Sequence, residues 1–322
     1  MALLLALTAC TSPQDREARA RIMAHEQPAQ QPAPFDWARP EAALSMDADE
    51  AAARIGSFDW TAGVIWSLTR GGQQPVRVTE RHRVRQLASG EFVVESDLDP
   101  EGQLHRADGG KRIVYAGKTT YARSRYAPFE GYRERPTDRG RDARRYREES
   151  FGLAGDLARL VGPGLTLTAD GEGDVASRKV KKFRLSLADS AAPPGPFASR
   201  GRPAPGERAP DEETKRHLAF LDGRVPAKVE GELSADAETG APLSVKLHAS
   251  FTVRDDPDAQ IDVALDAHVT TLGAAVAQVV APKEVLPDDR KPRGVARALE
   301  AAGLKKKAGE AMGREEPDEE GE

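Results

Sequence analysis

The chain has 322 residues, with 47 basic against 52 acidic side chains, a net charge of −5 and one cysteine. That balance gives no case for bulk nucleic-acid binding, and a lone thiol excludes an internal disulfide. No apolar run after residue 10 reaches the roughly 18 residues of a membrane-spanning helix; the longest, Leu272–Ala281, is about half of that.

The first element is a short apolar run, Ala2–Leu7, ending in Leu7-Thr8-Ala9-Cys10. This stretch resembles the lipobox of bacterial lipoproteins. The resemblance implies cleavage before Cys10, a diacylglycerol on its sulfur and an acyl group on the freed amine. Residues 1–9 are then a signal peptide, and the membrane is a partner through the lipid alone. Burial of acyl chains contributes about 0.8 kcal/mol per CH₂, so two or three chains anchor stably where one is marginal. A secretory n-region carries Lys or Arg, yet no basic residue precedes Arg16. The expectation is that the true start lies upstream. The alternative, an ordinary start with a chance cysteine, leaves the apolar turn nothing to dock on, because a polar Pro-rich segment follows. Thr11 replaces the Asp that retains some lipoproteins in the inner membrane. The expected location is therefore the cell envelope, lipid-anchored in the outer membrane and facing the periplasm.

Residues 10–40 are rich in Gln, Pro, Ala and charge, and read as the lipidated Cys and a flexible stalk. A helix is expected over Glu41–Ile55. Clean period-2 alternation then predicts strands at Trp60–Thr69, Val76–Leu87, Glu91–Leu98, Lys111–Ala116 and Thr119–Arg125. Gly71-Gly72, Ser89-Gly90, Asp99-Pro100-Glu101-Gly102 and Gly109-Gly110 separate them as turns. After a long Arg- and Tyr-rich connection comes a helix, Phe151–Val161, then strands Leu165–Ala169 and Val180–Leu187. Residues 190–210 form a Pro- and Gly-rich excursion that cannot be an inner strand. Asp211–Leu221 reads as a third helix. Val225–Leu233, Leu243–Val253 and Ile261–Thr271 alternate as strands. Residues 286–322 hold a weak helix and an acidic tail.

About ten amphipathic strands imply an antiparallel sheet with one face wet and one covered. Three short, Ala-rich helices offer little to cover it, so the sheet must curl on itself or keep a cavity. The last helix and three strands make too small a core to stand alone, so residues 41–285 are expected to form one domain. Leu243, Val245, Leu247, Phe251, Ile261, Val263 and Leu265 are assigned to the covered side. Trp60, Trp66, Leu247, Phe251, Val263 and Leu265 are the candidate cavity lining.

Lipobox, stalk and amphipathic strands together resemble the lipoprotein-carrier half-barrel, the LolA/LolB-like fold that includes mycobacterial glycolipid-binding lipoproteins. "SADAETGAPLSVKLHASF" and the closing "VVAPKEV" are its local echoes. The resemblance implies a mainly β (α+β) fold: a single curved antiparallel sheet, an unclosed half-barrel with a few short helices on the concave face. It also implies acyl-chain binding there. No ligand residue is carried over.

Chemistry is sparse. Gly171–Ala176 fits a dinucleotide string, but an alternating strand follows where a helix is required, so it reads as a hairpin turn. Asp97–Asp108 imitates a calcium loop with a wrong third ligand and Asp where a bidentate Glu belongs. The histidines show no zinc spacing, and no nucleophile elbow or phosphate loop is present. No enzyme, cofactor or metal is expected. Glu80 and His82 fall on the apolar side of their strand, in a cavity or at a rim; the cost of unpaired buried charge favours the rim.

The segment Tyr115–Tyr146 holds all five tyrosines, and Arg123–Arg147 carries many more arginines than acids. Arg presents a planar fork to phosphate or carboxylate. Two readings stand: contact with anionic head groups, through Tyr132, Arg141, Arg144, Arg145 and Arg147, or a solvated loop of weak ion pairs. The functional expectation is an envelope lipoprotein, monomeric, that binds a hydrophobic or lipidic ligand or a lipoprotein without catalysis. The alternative is a ligand-free scaffold or partner-binding module, for which a filled core would speak.

Overall fold

The computed structural model describes residues 32–100, 110–124, 127–133, 139–189 and 212–286. A 3-10 turn at Pro40–Ser45 precedes α1 (Ala48–Ile55). Six strands follow: β1 (Phe58–Arg70), β2 (Val76–Gln86), β3 (Phe92–Pro100), β4 (Gly110–Ala116), β5 (Thr119–Ser124) and β6 (Phe129–Arg133). Two helices, α2 (Arg139–Phe151) and α3 (Leu153–Val161), lead into β7 (Leu165–Val175) and β8 (Arg178–Leu187). Then come α4 (Glu212–Gly223), β9 (Arg224–Asp236), β10 (Pro242–Val253), β11 (Asp256–Leu272) and a two-residue β12 (Val285–Leu286).

These strands form one sheet in the order β12-β6-β5-β4-β3-β2-β1-β11-β10-β9-β8-β7. Its two edges, β12 and β7, do not meet, so the half-barrel is unclosed. Every pairing is antiparallel except β12 on β6. The first and last long strands, β1 and β11, pair along the whole of β1, from Phe58↔Leu272 to Arg70↔Ala259. That pairing joins two meanders into one sheet. The Pro-rich 190–210 lies outside the described residues, and the strands on either side of it pair directly, Phe183 opposite Leu233.

Period-2 alternation decides which face is covered. Phe58, Trp60, Ala62 and Val64 of β1 are all buried on the inner face, where α1–α4 lie. Leu243, Val245, Leu247, Phe251, Val263 and Leu265 are buried in the same continuous core, with Ile261 half-buried against it. Each fully buried side chain of this kind stabilises the fold by roughly 1.5–3 kcal/mol. The helices supply small residues where they press closest. A Cβ on Gly155 of α3 would sit 2.5 Å from the Leu44 carbonyl oxygen, so only glycine lets α3 approach the 3-10 turn. On the outer face, Val276 and Val279 of the segment after β11 are buried against Leu87, Val114 and Ala116.

Several expectations need correction. The first helix is broken at Asp47, whose carboxylate accepts from the Glu50 amide at 2.7 Å and starts α1 anew. The stalk does not extend to residue 40. Phe35 and Trp37 meet edge to face at 4.8 Å, and Trp37 stacks on Phe183 at 6.0 Å. Two aromatics were enough to dock a stretch whose average composition is polar. The Arg/Tyr connection is not a loop throughout: it contains β6 and α2. Strand β7 runs on to Val175, and the hairpin turn falls on Ala176 and Ser177. The signal and lipid Cys (1–10), the calcium-like stretch 101–109 and the tail 287–322 lie outside the described residues.

Candidate ligand site on the inner face

Helix α2 lies over β2–β5 and turns Ala143, Tyr146, Arg147, Ser150 and Phe151 inward, at helical spacing. Phe151 packs between Phe58 and Trp60 at 5.4 and 5.1 Å. Arg147 is 1 % exposed. Its guanidinium donates to Asp49 of α1 at 2.6 and 2.8 Å, to Gln86 of β2 at 2.8 Å and to its neighbour Glu148, and it stacks over Phe92. The Glu148 carboxylate also accepts from the Ala48 amide at 2.9 Å, which caps α1. This arginine is therefore a structural clamp, and not the surface contact expected of it. Burial would lower its affinity for a proton, but Asp49 and Glu148 outweigh that and hold it charged.

Further along the same face the core gives way to a polar cleft of about 270 Å³. Glu80, His82, Ser96, Leu98, Lys111 and Tyr146 line it. The strand register makes this cluster: His82 lies opposite Ser96, and Ser96 opposite Lys111. His82 Nδ1 is 3.1 Å from Ser150 Oγ and Nε2 is 3.3 Å from Glu80 Oε2. Tyr146 shares a short hydrogen bond with Ser96. Burial pushes the Tyr146 phenol up, against the Ser96 bond and with help from Glu149, Asp97 and Glu80.

Beyond the cleft, towards the β1–β2 hairpin, the inner face stays apolar but is no longer covered. Trp66 and Val78 are half-buried, while Leu68 (42 %), Val76 (46 %) and Leu98 (38 %) are open to solvent. Register places Trp66 opposite Val78, Leu68 opposite Val76 and Ile261 opposite Leu68, so they form one shelf.

Of the expected lining residues, Trp60, Leu247, Phe251, Val263 and Leu265 lie in the packed core, and Trp66 joins the core to the shelf. Arg144 is exposed, with its guanidinium 5.7 Å from the Tyr115 ring; Arg145 pairs with Glu149 at 2.9 Å. Tyr132 lies opposite Thr120 in β6, and Arg141 lies in the first turns of α2. A second depression, of about 470 Å³, opens on the outer face between Asp59, Thr61, Arg83, Arg85, Glu95 and Arg112. Its charges are largely paired, Arg85 with Asp59 at 2.7 Å and Arg112 with Glu95 at 3.0 Å.

Ser96, Lys111 and Tyr146 escaped the sequence reading. The signal that could have found them was the pair Glu80 and His82 on an apolar strand face, but the partners follow only from the register. Among the described residues no cluster of His, Cys, Asp and Glu could hold a metal ion, and no helix is long and apolar enough to cross a membrane.

No family model matches the sequence, and no curated protein matches it significantly. Among solved structures, the chain is similar to LprF from Mycobacterium bovis, with 12 % identity over 77 % of this chain and 98 % of that one and a TM-score of 0.29. It is also similar to MucB in complex with MucA(peri), at 17 % identity over 77 % and 61 % of the two chains, TM-score 0.24. A LolA superfamily protein from Nitrosomonas europaea matches at 10 % identity over 72 % and 94 %, TM-score 0.20.

Proposed function

We propose that this chain is an outer-membrane envelope lipoprotein, lipidated at Cys10 and facing the periplasm, whose half-barrel binds an apolar or lipidic ligand without chemistry. The observation that carries the ligand reading is the shelf. Trp66, Leu68, Val76 and Leu98 continue the apolar inner face past its helices into solvent. Leaving that surface wet costs roughly 25 cal/mol per Å² against covering it, and contiguous exposed apolar surface marks binding sites. Arg144 and Arg145, with Tyr132 and Arg141, remain the proposed contacts for the anionic head groups of a membrane surface; Arg147 is withdrawn because it is buried and paired.

A fluorescent apolar probe, phenylnaphthylamine, tests the shelf. The full chain is expected to enhance its emission, and Trp66→Asp with Leu68→Asp to abolish the enhancement while the far-ultraviolet circular dichroism stays unchanged. Intact mass of the native protein is expected to begin at Cys10 with added acyl mass, and Cys10→Ala to release the chain from membranes.

One observation favours a second reading, a partner-binding scaffold: between the helices and the sheet the inner face is one continuous cluster of buried apolar side chains. On that reading the probe does not bind, and the shelf receives a protein surface.

A further inference from the structure

The cleft and the shelf meet at Leu98, which lines one and belongs to the other. Asp97 also borders the cleft, but alternation along β3 sends its side chain to the outer face, on the side of Arg81. The polar side chains that face into the cleft can be accounted for one by one. Glu80 and His82 are engaged with each other, and the second ring nitrogen of His82 with Ser150 of α2. Ser96 and Tyr146 carry one hydroxyl proton each. Their mutual bond uses one and leaves one O–H to donate. Lys111 makes no ion pair among the described residues. Its ammonium rests 5.0 Å from the centre of the Tyr146 ring, an attraction that holds a cation in place without neutralising it.

What these side chains leave without a charged partner is donor capacity, the Lys111 ammonium and one hydroxyl, at the end of an apolar strip. We propose that the cleft is the head-group site of an amphiphile bearing an anionic oxygen group, carboxylate or phosphate, whose tail lies along Leu98, Val78, Trp66 and Leu68. This rests on the apolar-ligand reading above and adds to it the chemistry of the head. The dimensions agree. From His82 to Val76 the strand rise gives about 20 Å, which an extended palmitate chain spans. Burial keeps Tyr146 a protonated donor over the ordinary pH range.

The test is displacement of phenylnaphthylamine from the full chain by palmitate, hexadecyl phosphate and hexadecanol below their micelle-forming concentrations, with inorganic phosphate as the free anion. Palmitate and hexadecyl phosphate are expected to displace the probe about tenfold more tightly than hexadecanol, the effect of a charge-assisted bond. Lys111→Gln is expected to bring both down to the alcohol, leaving hexadecanol unchanged, and Lys111→Arg to keep the preference. Equal displacement by acid and alcohol in the wild type, or an unaltered preference in Lys111→Gln, overturns the head-group site while hexadecanol binding still upholds the apolar shelf. Inorganic phosphate blocking the acids as well as hexadecyl phosphate does would assign the cleft to a free anion and overturn the amphiphile. A chain that binds neither probe nor hexadecanol removes both readings together.

Discussion

Arg147 and Asp49, 98 positions apart in the chain, face each other through two parallel hydrogen bonds of 2.6 and 2.8 Å. The pair ties α2 to α1 above the inner face, and the same guanidinium reaches Gln86 of the sheet. Truncation leaves Gln86 and Glu148 without their buried partner. Arg147→Ala is expected to cost about 3 kcal/mol, in the range seen when one member of a buried pair is removed. Arg147→Lys should recover little, because an ammonium cannot make the paired bonds. Asp49→Asn should cost far less, since the Asp49 side chain is 57 % exposed. Urea unfolding of the three variants measures this; a full recovery by Arg147→Lys with no loss in Asp49→Asn would mean that Arg147 acts through packing alone.

Asp236 organises the turn between β9 and β10. It accepts from the Thr239 amide at 2.9 Å, the Thr239 hydroxyl at 2.8 Å, and Arg178 through a short ion pair. Burial alone would raise its pKa, but these three bonds outweigh it and hold the carboxyl below the usual carboxylate range. A depressed folded value means that the stabilisation is fully present above the unfolded value, about 3.9. It is lost as pH falls through the folded one. Asp236→Asn is expected to cost roughly 2 kcal/mol at neutral pH, as for a bond to a charged group, and to flatten the loss of stability below about pH 4. Melting temperatures from neutral to strongly acidic pH give the comparison. An acid limb as steep in the variant as in the wild type would show that other carboxylates govern it.

The hairpin turn at Ala176 and Ser177 has both residues in the left-handed region, at φ 47° and 64°. That conformation costs an L-residue roughly 1–2 kcal/mol, and a two-residue turn of this type prefers Asn-Gly. The double change Ala176→Asn with Ser177→Gly is therefore expected to raise the melting temperature by about 2–4 °C. A fall would mean that Ala176 or Ser177 makes a contact worth more than the strain.

Thr120 is 5 % exposed, and its hydroxyl has no hydrogen-bond partner among the described residues. A buried, unsatisfied hydroxyl costs about 1–3 kcal/mol, while valine keeps the β-branched shape that a strand favours. Thr120→Val should stabilise the fold by about 1 kcal/mol, read as a higher urea midpoint at unchanged slope. An unchanged midpoint would place a water on that hydroxyl.

Much of the sheet was legible beforehand. Alternation along Leu243–Val253 and Ile261–Thr271 named the covered residues, because a half-buried strand writes its two faces into neighbouring positions. The short strands β6 and β12 carry too few residues for the same pattern to register. Helix α2 was hidden for a different reason: its inner stripe is Tyr146, Arg147 and Ser150, polar residues that no apolar periodicity reveals. Such groups are inner residues only because Ser96, Asp49, Gln86 and His82 satisfy them, and these partners lie dozens of positions away.

By itself, then, the amino-acid order determined an antiparallel sheet and the face that each long strand buries, both consequences of a local period of two; that the sheet stays open was seen only in its strand order. The lipid-anchor reading of Cys10 is equally local, resting on four consecutive residues. Tertiary structure alone decided that β1 pairs with β11 and that one arginine of a basic segment becomes a buried clamp. It alone decided that Lys111 meets Tyr146 at the end of an uncovered apolar shelf. Register and helix docking set those distances, through contacts between residues far apart in the chain, and no nearest-neighbour pattern encodes them.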